Sequence, residues 1–313
     1  MRAKQLVALA ALLGMLWAVP VLGTARSFAA ANPQPVSQTT ALLPARFRVD
    51  QDRGLLLTVW INNRGPFVLA VDTGAGTNLI TQAVVSQSEL ATHNIRTVAL
   101  GGLSGALTNT NREATITNLA LGDRGNTLHS TKTALVVPSL ASGLDGVLDP
   151  IDVYAPLGFS IDMPNRRIAP LDSVNDAFSH SMRGEGASVP WLRFGSGSRP
   201  FVRLGDGRLA LVDTGSGFGL AVNGRDARIV GTRNERQSEQ DTRDLGGGSI
   251  SSRRVAPTTI SIGELVLRGI PTDILYGITD DAPVILGRDA LYPFKLTFNP
   301  QKRLIEFATS ERI

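Results

Sequence analysis

A tripeptide repeated in matching surroundings constrains this chain more than any other feature. Residues 69–80 read LAVDTGAGTNLI and residues 209–220 read LALVDTGSGFGL, so Asp-Thr-Gly occurs twice, each time behind small apolar residues. Ahead of each copy stand two strand-like runs broken by a turn. These are LLLTVWINNRGPFVLAVDTG, with Asn-Asn-Arg-Gly-Pro, and RPFVRLGDGRLALVDTG, with the hairpin signal Gly-Asp-Gly. Beyond each copy comes a glycine-rich tip, LGGLSGA at 100–106 and LGGGSIS at 245–251. Alternating strand patterns follow at 114–123 and 258–267, and then LDGVLDP at 144–150 matches APVILGRDAL at 282–291. Each half closes on a hairpin, FSIDMPNRRIAPL at 159–171 and FKLTFNPQKRLIEF at 294–307. The order agrees throughout and the offset stays between 135 and 146 residues, which is an internal duplication.

Composition fits turn-rich β structure: 32 glycines, 5% aromatics, and frequent Val, Thr and Ile in 313 residues. Helical signal is confined to QAVVSQSELAT and GRDALY. The boundaries read as a signal peptide at 1–31, a flexible lead-in at 32–43, halves at 44–172 and 187–313, and a polar connector at 173–186. The signal peptide rests on MRAK, the apolar QLVALAALLGMLWAVPVLG and the small residues that follow; an uncleaved membrane anchor is the alternative. Either way the remainder is expected to be exported, periplasmic or secreted, with no second segment apolar enough to span. The +4 charge comes from 31 cations against 27 anions, without a dense basic run or interleaved aromatics, so no nucleic-acid partner is expected. With no cysteine there is no disulfide, thiol nucleophile or thiolate metal site. His93, His129 and His180 are scattered without zinc spacing, and no Gly-x-Ser-x-Gly elbow exists, so neither a metal nor a cofactor is expected.

Hydrophobic-hydrophobic-Asp-Thr-Gly, a glycine-rich tip, and then hydrophobic-hydrophobic-Gly resembles the pattern of aspartic proteases. The spacing is similar to the retropepsin type, with two copies fused in one chain, over nearly all of residues 44–313. That resemblance implies a mostly β, bilobal pepsin/retropepsin-like fold, two pseudo-symmetric barrel-like lobes with a cleft between them. It implies Asp72 and Asp213 as a catalytic pair sharing one proton, one carboxyl acting as base and the other as acid on a water that attacks the peptide bond. Thr73 and Thr214 would each bond to the opposite loop, Gly74 and Gly215 would permit close approach, and Ile285-Leu286-Gly287 would back the second loop. Gly101-Gly102 and Gly246-Gly247-Gly248 would be flaps over an extended polypeptide bound as an added strand. Because one chain supplies both aspartates, a monomer is expected.

Two positions depart from the pattern. Val147-Leu148 is followed by Asp149 where the second half has Gly287, which a shifted alignment, a remodelled loop or a lobe without tight packing would each explain. Ala75 stands where the second half has Ser216, whose hydroxyl is expected to bond Asp213 and make it the more readily ionised aspartate. An inactive peptide-binding module of the same fold is therefore the alternative to an endopeptidase. A two-carboxylate glycosidase has little support, since sugar-stacking aromatics are scarce.

Overall fold

The computed structural model describes residues 42–128, 130–140, 143–171, 186–194, 197–224, 239–243 and 248–310. The expected signal peptide, most of the lead-in and connector, His129, His180, Gly246 and Gly247 lie outside the described residues. What is described is mostly β, with twenty-two strands and three short helices.

The first half contains β1 (Ala45–Asp50), β2 (Gly54–Ile61), β3 (Arg64–Val71), β4 (Leu79–Thr81), α1 (Gln82–Gln87), β5 (Thr92–Gly101) and β6 (Leu107–Ile116). It continues with β7 (Leu119–Leu121), β8 (Thr127–Leu128), β9 (Lys132–Val137), β10 (Gly146–Leu148), α2 (Pro150–Val153), β11 (Phe159–Asp162) and β12 (Arg167–Pro170). The second half contains β13 (Gly186–Pro190), β14 (Phe201–Arg203), β15 (Leu209–Val212), β16 (Leu220–Asn223), β17 (Glu239–Arg243) and β18 (Ser249–Ile262). It ends with β19 (Leu265–Tyr276), β20 (Val284–Leu286), α3 (Arg288–Leu291), β21 (Phe294–Asn299) and β22 (Leu304–Thr309).

The duplication reappears as topology. One path runs β2-β3-β10-β4-β9-β6-β5, and the other runs β14-β15-β20-β16-β19-β18-β17, the same order of corresponding strands. In each path the strand that leads into Asp-Thr-Gly pairs in parallel with a short apolar strand from the end of its half. Val71 lies beside Leu148 and Val212 beside Leu286. Both short strands are buried, as the uninterrupted apolar runs Gly-Val-Leu and Val-Ile-Leu require of a strand with neighbours on two sides.

Local chemistry sets the turns. Asn62 and Asn63 both have positive φ, at 47° and 63°, the conformation of a tight hairpin turn that asparagine tolerates. The two closing hairpins turn alike: Asp162 Oδ1 accepts from the Asn165 amide and Asn299 Oδ1 from the Lys302 amide, and Arg166 and Arg303 take the left-handed position. Each alternating window, 114–123 and 258–267, holds two strands separated by a turn, at Thr117-Asn118 and Gly263-Glu264. Leu43, at the end of the expected lead-in, is held at both backbone groups by Asn126.

The halves meet through their hairpins. β11 pairs antiparallel with β21, placing Phe159 opposite Phe298, within the run β13-β22-β21-β11-β12-β1. Phe159 and Phe298 stack at 4.7 Å, Tyr154 lies on Phe159, and Trp191 meets Phe298 edge-on. Burying each phenylalanine contributes roughly 1.5–3 kcal/mol, so this aromatic stack helps fix one half against the other.

Candidate active site

Asp72 and Asp213 follow directly on β3 and β15, and their backbones are positioned identically. The Asp72 amide donates to the Leu148 carbonyl and the Asp213 amide to the Leu286 carbonyl, both at 3.0 Å. The parallel strand behind each turn therefore fixes where the aspartate leaves the sheet. Thr73 and Thr214, both fully buried, cross between the turns. The Thr73 hydroxyl donates to the Val212 carbonyl at 2.6 Å, and the Thr214 hydroxyl to the Val71 carbonyl at 3.1 Å. Each hydroxyl also accepts the other threonine's amide, at 3.1 Å in both directions. Four reciprocal bonds lace the turns together, and each buried hydroxyl is used as donor and acceptor.

Close approach explains the glycines. A Cβ on Gly74 would sit 2.8 Å from the carboxyl carbon of Asp213, and one on Gly215 would collide with the Asp72 carboxyl. Each carboxyl thus lies against the backbone of the opposing turn, which only glycine permits. Asp72 Oδ1 accepts the Gly74 amide at 2.7 Å, while Asp213 Oδ1 accepts the amides of Gly215 at 2.8 Å and Ser216 at 3.1 Å. Both aspartates remain partly exposed, so reacting groups have access.

The carboxyls interact unequally. Burial pushes Asp72 well above the ordinary carboxylate range, and the charge of Asp213 and the hydrogen bond between the two carboxyls push it further. Burial also raises Asp213, but the bond from Asp72, the Ser216 and Gly215 amides and the Arg288 guanidinium oppose the rise. Both carboxyls are raised, and the second amide on Asp213 favours its ionised form, so a proton shared by the pair leans towards Asp72.

Ser216 departs from expectation. Its amide, not its hydroxyl, bonds Asp213; the hydroxyl accepts from the Phe218 amide at 3.4 Å and so is turned away from the carboxyl. Ile285 and Leu286 are fully buried in β20, and the Gly287 amide donates to the Gly219 carbonyl at 2.9 Å. A Cβ on Gly287 would run into the Phe218 carbonyl, so this slot is closed to any side chain in the present conformation.

The first-half slot is built differently, without any shift in the parallel pairing behind it. Asp149 caps α2, its Oδ1 accepting the Ile151 amide at 2.9 Å and Pro150 taking the first helical position. Its own amide donates to Asn78 Oδ1 at 2.9 Å. Asn78 in turn donates through Nδ2 to Asp152 Oδ2 at 2.7 Å and to the Thr133 carbonyl at 3.1 Å.

The tip between β5 and β6, with Gly101 closing β5 and Gly102 opening the turn, reaches the second half. The Thr279 amide donates to the Leu103 carbonyl at 3.0 Å, and Leu103 packs into an apolar cluster with Phe218, Ile250 and Ile285. Gly248 lies against Ser104 and Ala106 of that tip.

Sequence reasoning gave no role to Arg288 or Asn78. Arg288 is buried and donates to the Gly215 carbonyl at 2.9 Å, the Thr214 carbonyl at 3.4 Å and the Gln51 carbonyl at 2.7 Å. Gly54 makes room for it, since a Cβ there would stand 2.9 Å from Nη1. The signal available was position: Arg288 directly follows Ile285-Leu286-Gly287, and Asn78 lies six residues beyond Asp72, where the second half has Gly219. Among the described residues, no group of three His, Asp or Glu is placed to hold a metal ion, and no helix is long and apolar enough to cross a membrane.

No family model matches this chain, and no curated protein matches it.

Proposed function

We propose that the chain is an exported aspartic endopeptidase of the pepsin/retropepsin type, its two halves being the lobes of a bilobal fold with the cleft at their junction. The observation that carries this reading is the pair of carboxyls, Asp72 and Asp213, each set against the glycine of the opposing turn and held there by the crossed threonines Thr73 and Thr214. Amide hydrolysis without a metal or covalent intermediate needs a base to deprotonate water and an acid for the developing oxyanion and leaving nitrogen. In this reading ionised Asp213 takes the proton of the attacking water while Asp72 gives its proton to the carbonyl oxygen. As the tetrahedral diol collapses, Asp213 gives that proton to the departing nitrogen and Asp72 takes one back from a hydroxyl of the intermediate, so that a carboxylic acid and an amine leave and the pair is restored. The β5–β6 tip and the Gly248 segment act as flaps, and extended polypeptide binds beneath them by backbone bonds. The preceding residues 1–31 direct export, and no second chain is needed to complete the pair.

The test is cleavage of unstructured casein from acid to neutral pH by the mature chain, compared with Asp72→Asn and Asp213→Asn. Each substitution removes one proton-transfer role and should lower kcat on the order of 10²–10⁴-fold while peptide binding persists. Binding without aspartate-dependent cleavage at any pH would establish the peptide-binding module instead.

A further inference from the structure

We propose that Asp149 is a positioning residue of the dyad: a buried carboxyl standing behind Asp72, where Gly287 stands behind Asp213, it holds the shared proton on Asp72 once it is itself ionised and leaves Asp213 as the base. The inference rests on the endopeptidase reading and assigns the two carboxyls their separate roles within it.

The placement is set by the backbone. Leu148 pairs beside Val71 and its carbonyl accepts the Asp72 amide, so the next residue, Asp149, emerges immediately behind the first turn. It is completely buried. Oδ1 accepts the Ile151 amide, whereas Oδ2 has no hydrogen-bond partner among the described residues. A helix cap requires one oxygen only, and serine or asparagine would supply it, so capping does not account for a full carboxyl with a lone buried oxygen.

The charged surroundings leave that carboxyl uncompensated. Asp152, on the same short helix, holds Asn78 Nδ2 through its own carboxyl and adds a like charge near Asp149. Lys132 of β9 directs its ammonium at the Asp152 backbone carbonyl, 2.6 Å away. Tyr154, which ends α2, buries a hydroxyl that has no partner among the described residues. Asp72, on the turn in front, feels ionised Asp149 as a charge that favours keeping its proton. Burial, opposed by the Ile151 amide, pushes the Asp149 carboxyl up to about 7. Across the pseudo-symmetric junction the backing group is the Arg288 guanidinium, whose charge favours ionised Asp213. Once Asp149 ionises, at about pH 7 and above, an anion behind one aspartate and a cation behind the other polarise the shared proton in a single sense.

The experiment is a carboxyl-carbon NMR titration of aspartate-labelled full chain from pH 3 to 9, comparing wild type with Asp149→Asn and Asp149→Gly. Cleavage of casein is profiled over the same range. Asparagine keeps the helix cap and the shape while removing the charge; glycine reproduces the second half. In both variants the upper titration of the dyad should fall by about one pH unit, the effect of a nearby buried like charge. The alkaline limb of kcat/KM should fall with it, and the acid limb should hold its place. An unchanged upper titration in both variants overturns the proposal, as does a shift in the glycine variant alone, which would belong to the lost cap. A shifted titration in a protein that cleaves nothing would uphold Asp149 as the positioning residue and overturn the endopeptidase reading.

Discussion

The two Asp-Thr-Gly turns share one skeleton and differ in what stands behind them. Backbone bonds into the parallel strand, crossed threonines and glycines against the opposite carboxyl are common to both. Behind Asp213 the backing is made of main chain and one guanidinium: the Gly287 amide on the Gly219 carbonyl, and Arg288 on three carbonyls. Behind Asp72 it is made of side chains, with Asn78 joining Asp149, Asp152 and β9. A duplicated turn delivers two carboxyls of equal geometry, but acid–base chemistry requires them to be unequal. The difference between the backings supplies that inequality while the lacing keeps the carboxyls together.

The largest expected effect separates the backings by pH. The carboxyl of Asp149 is raised from 3.8 to about 7 in the folded chain, so the folded state holds this proton more tightly than the unfolded state does. Its contribution to stability is fully present below about pH 4 and is lost as pH rises through about 7. The span corresponds to about 4 kcal/mol. Asparagine carries no such proton, so the stability of Asp149→Asn relative to wild type should grow by up to about 4 kcal/mol between pH 4 and pH 8. Urea unfolding at the two pH values checks this. A difference that stays constant with pH would mean that the first backing holds no electrostatic tension.

Next comes the second backing. Replacing Arg288 by methionine keeps apolar volume but strips the donor from the carbonyls of Thr214, Gly215 and Gln51. Losing the bond to the buried Thr214 carbonyl and those to the half-buried Gly215 and exposed Gln51 carbonyls, which water can partly replace, should cost about 1–2 kcal/mol in urea unfolding at neutral pH. The same change removes the cation that favours ionised Asp213, so the acid limb of activity should move to higher pH. A stable variant with an unmoved acid limb would show that the guanidinium fills space only.

How much of this was legible beforehand depends on the range over which each interaction acts. The strands were visible because short apolar runs bounded by Asn-Asn, Gly-Asp-Gly and Pro-Asn-Arg-Arg are local signals. The aspartates and threonines were visible because the tripeptide recurs at matching places. Arg288 was printed beside the motif yet carried no visible role, because its bond to Gln51 spans 237 positions and a cation after glycine ordinarily reads as surface. Asn78 was hidden for the same reason, its partners Asp152 and Thr133 being distant in sequence. Asp149 was conspicuous as a departure, and its structural role was available locally, since Asp-Pro ahead of a short helical run is a cap signal. What the sequence concealed is that this cap leaves an oxygen buried with no partner among the described residues.

The smallest expected effect concerns the difference directly after each Asp-Thr-Gly, Ala75 against Ser216. A hydroxyl reaching Asp213 would make this position part of the electrostatic inequality. Instead the Ser216 amide supplies the bond at 3.1 Å, and the hydroxyl accepts a long one from Phe218. Alanine retains the amide and forfeits only that weak contact, so Ser216→Ala should change stability by less than about 0.5 kcal/mol. Its pH–activity profile should overlay that of wild type, since neither the Gly215 amide nor Arg288 is touched. A displaced acid limb would return the hydroxyl to the carboxyl during turnover and move part of the inequality from the backings into the turn. An overlaid profile, beside a shifted one for Arg288→Met, would locate the asymmetry behind the aspartates.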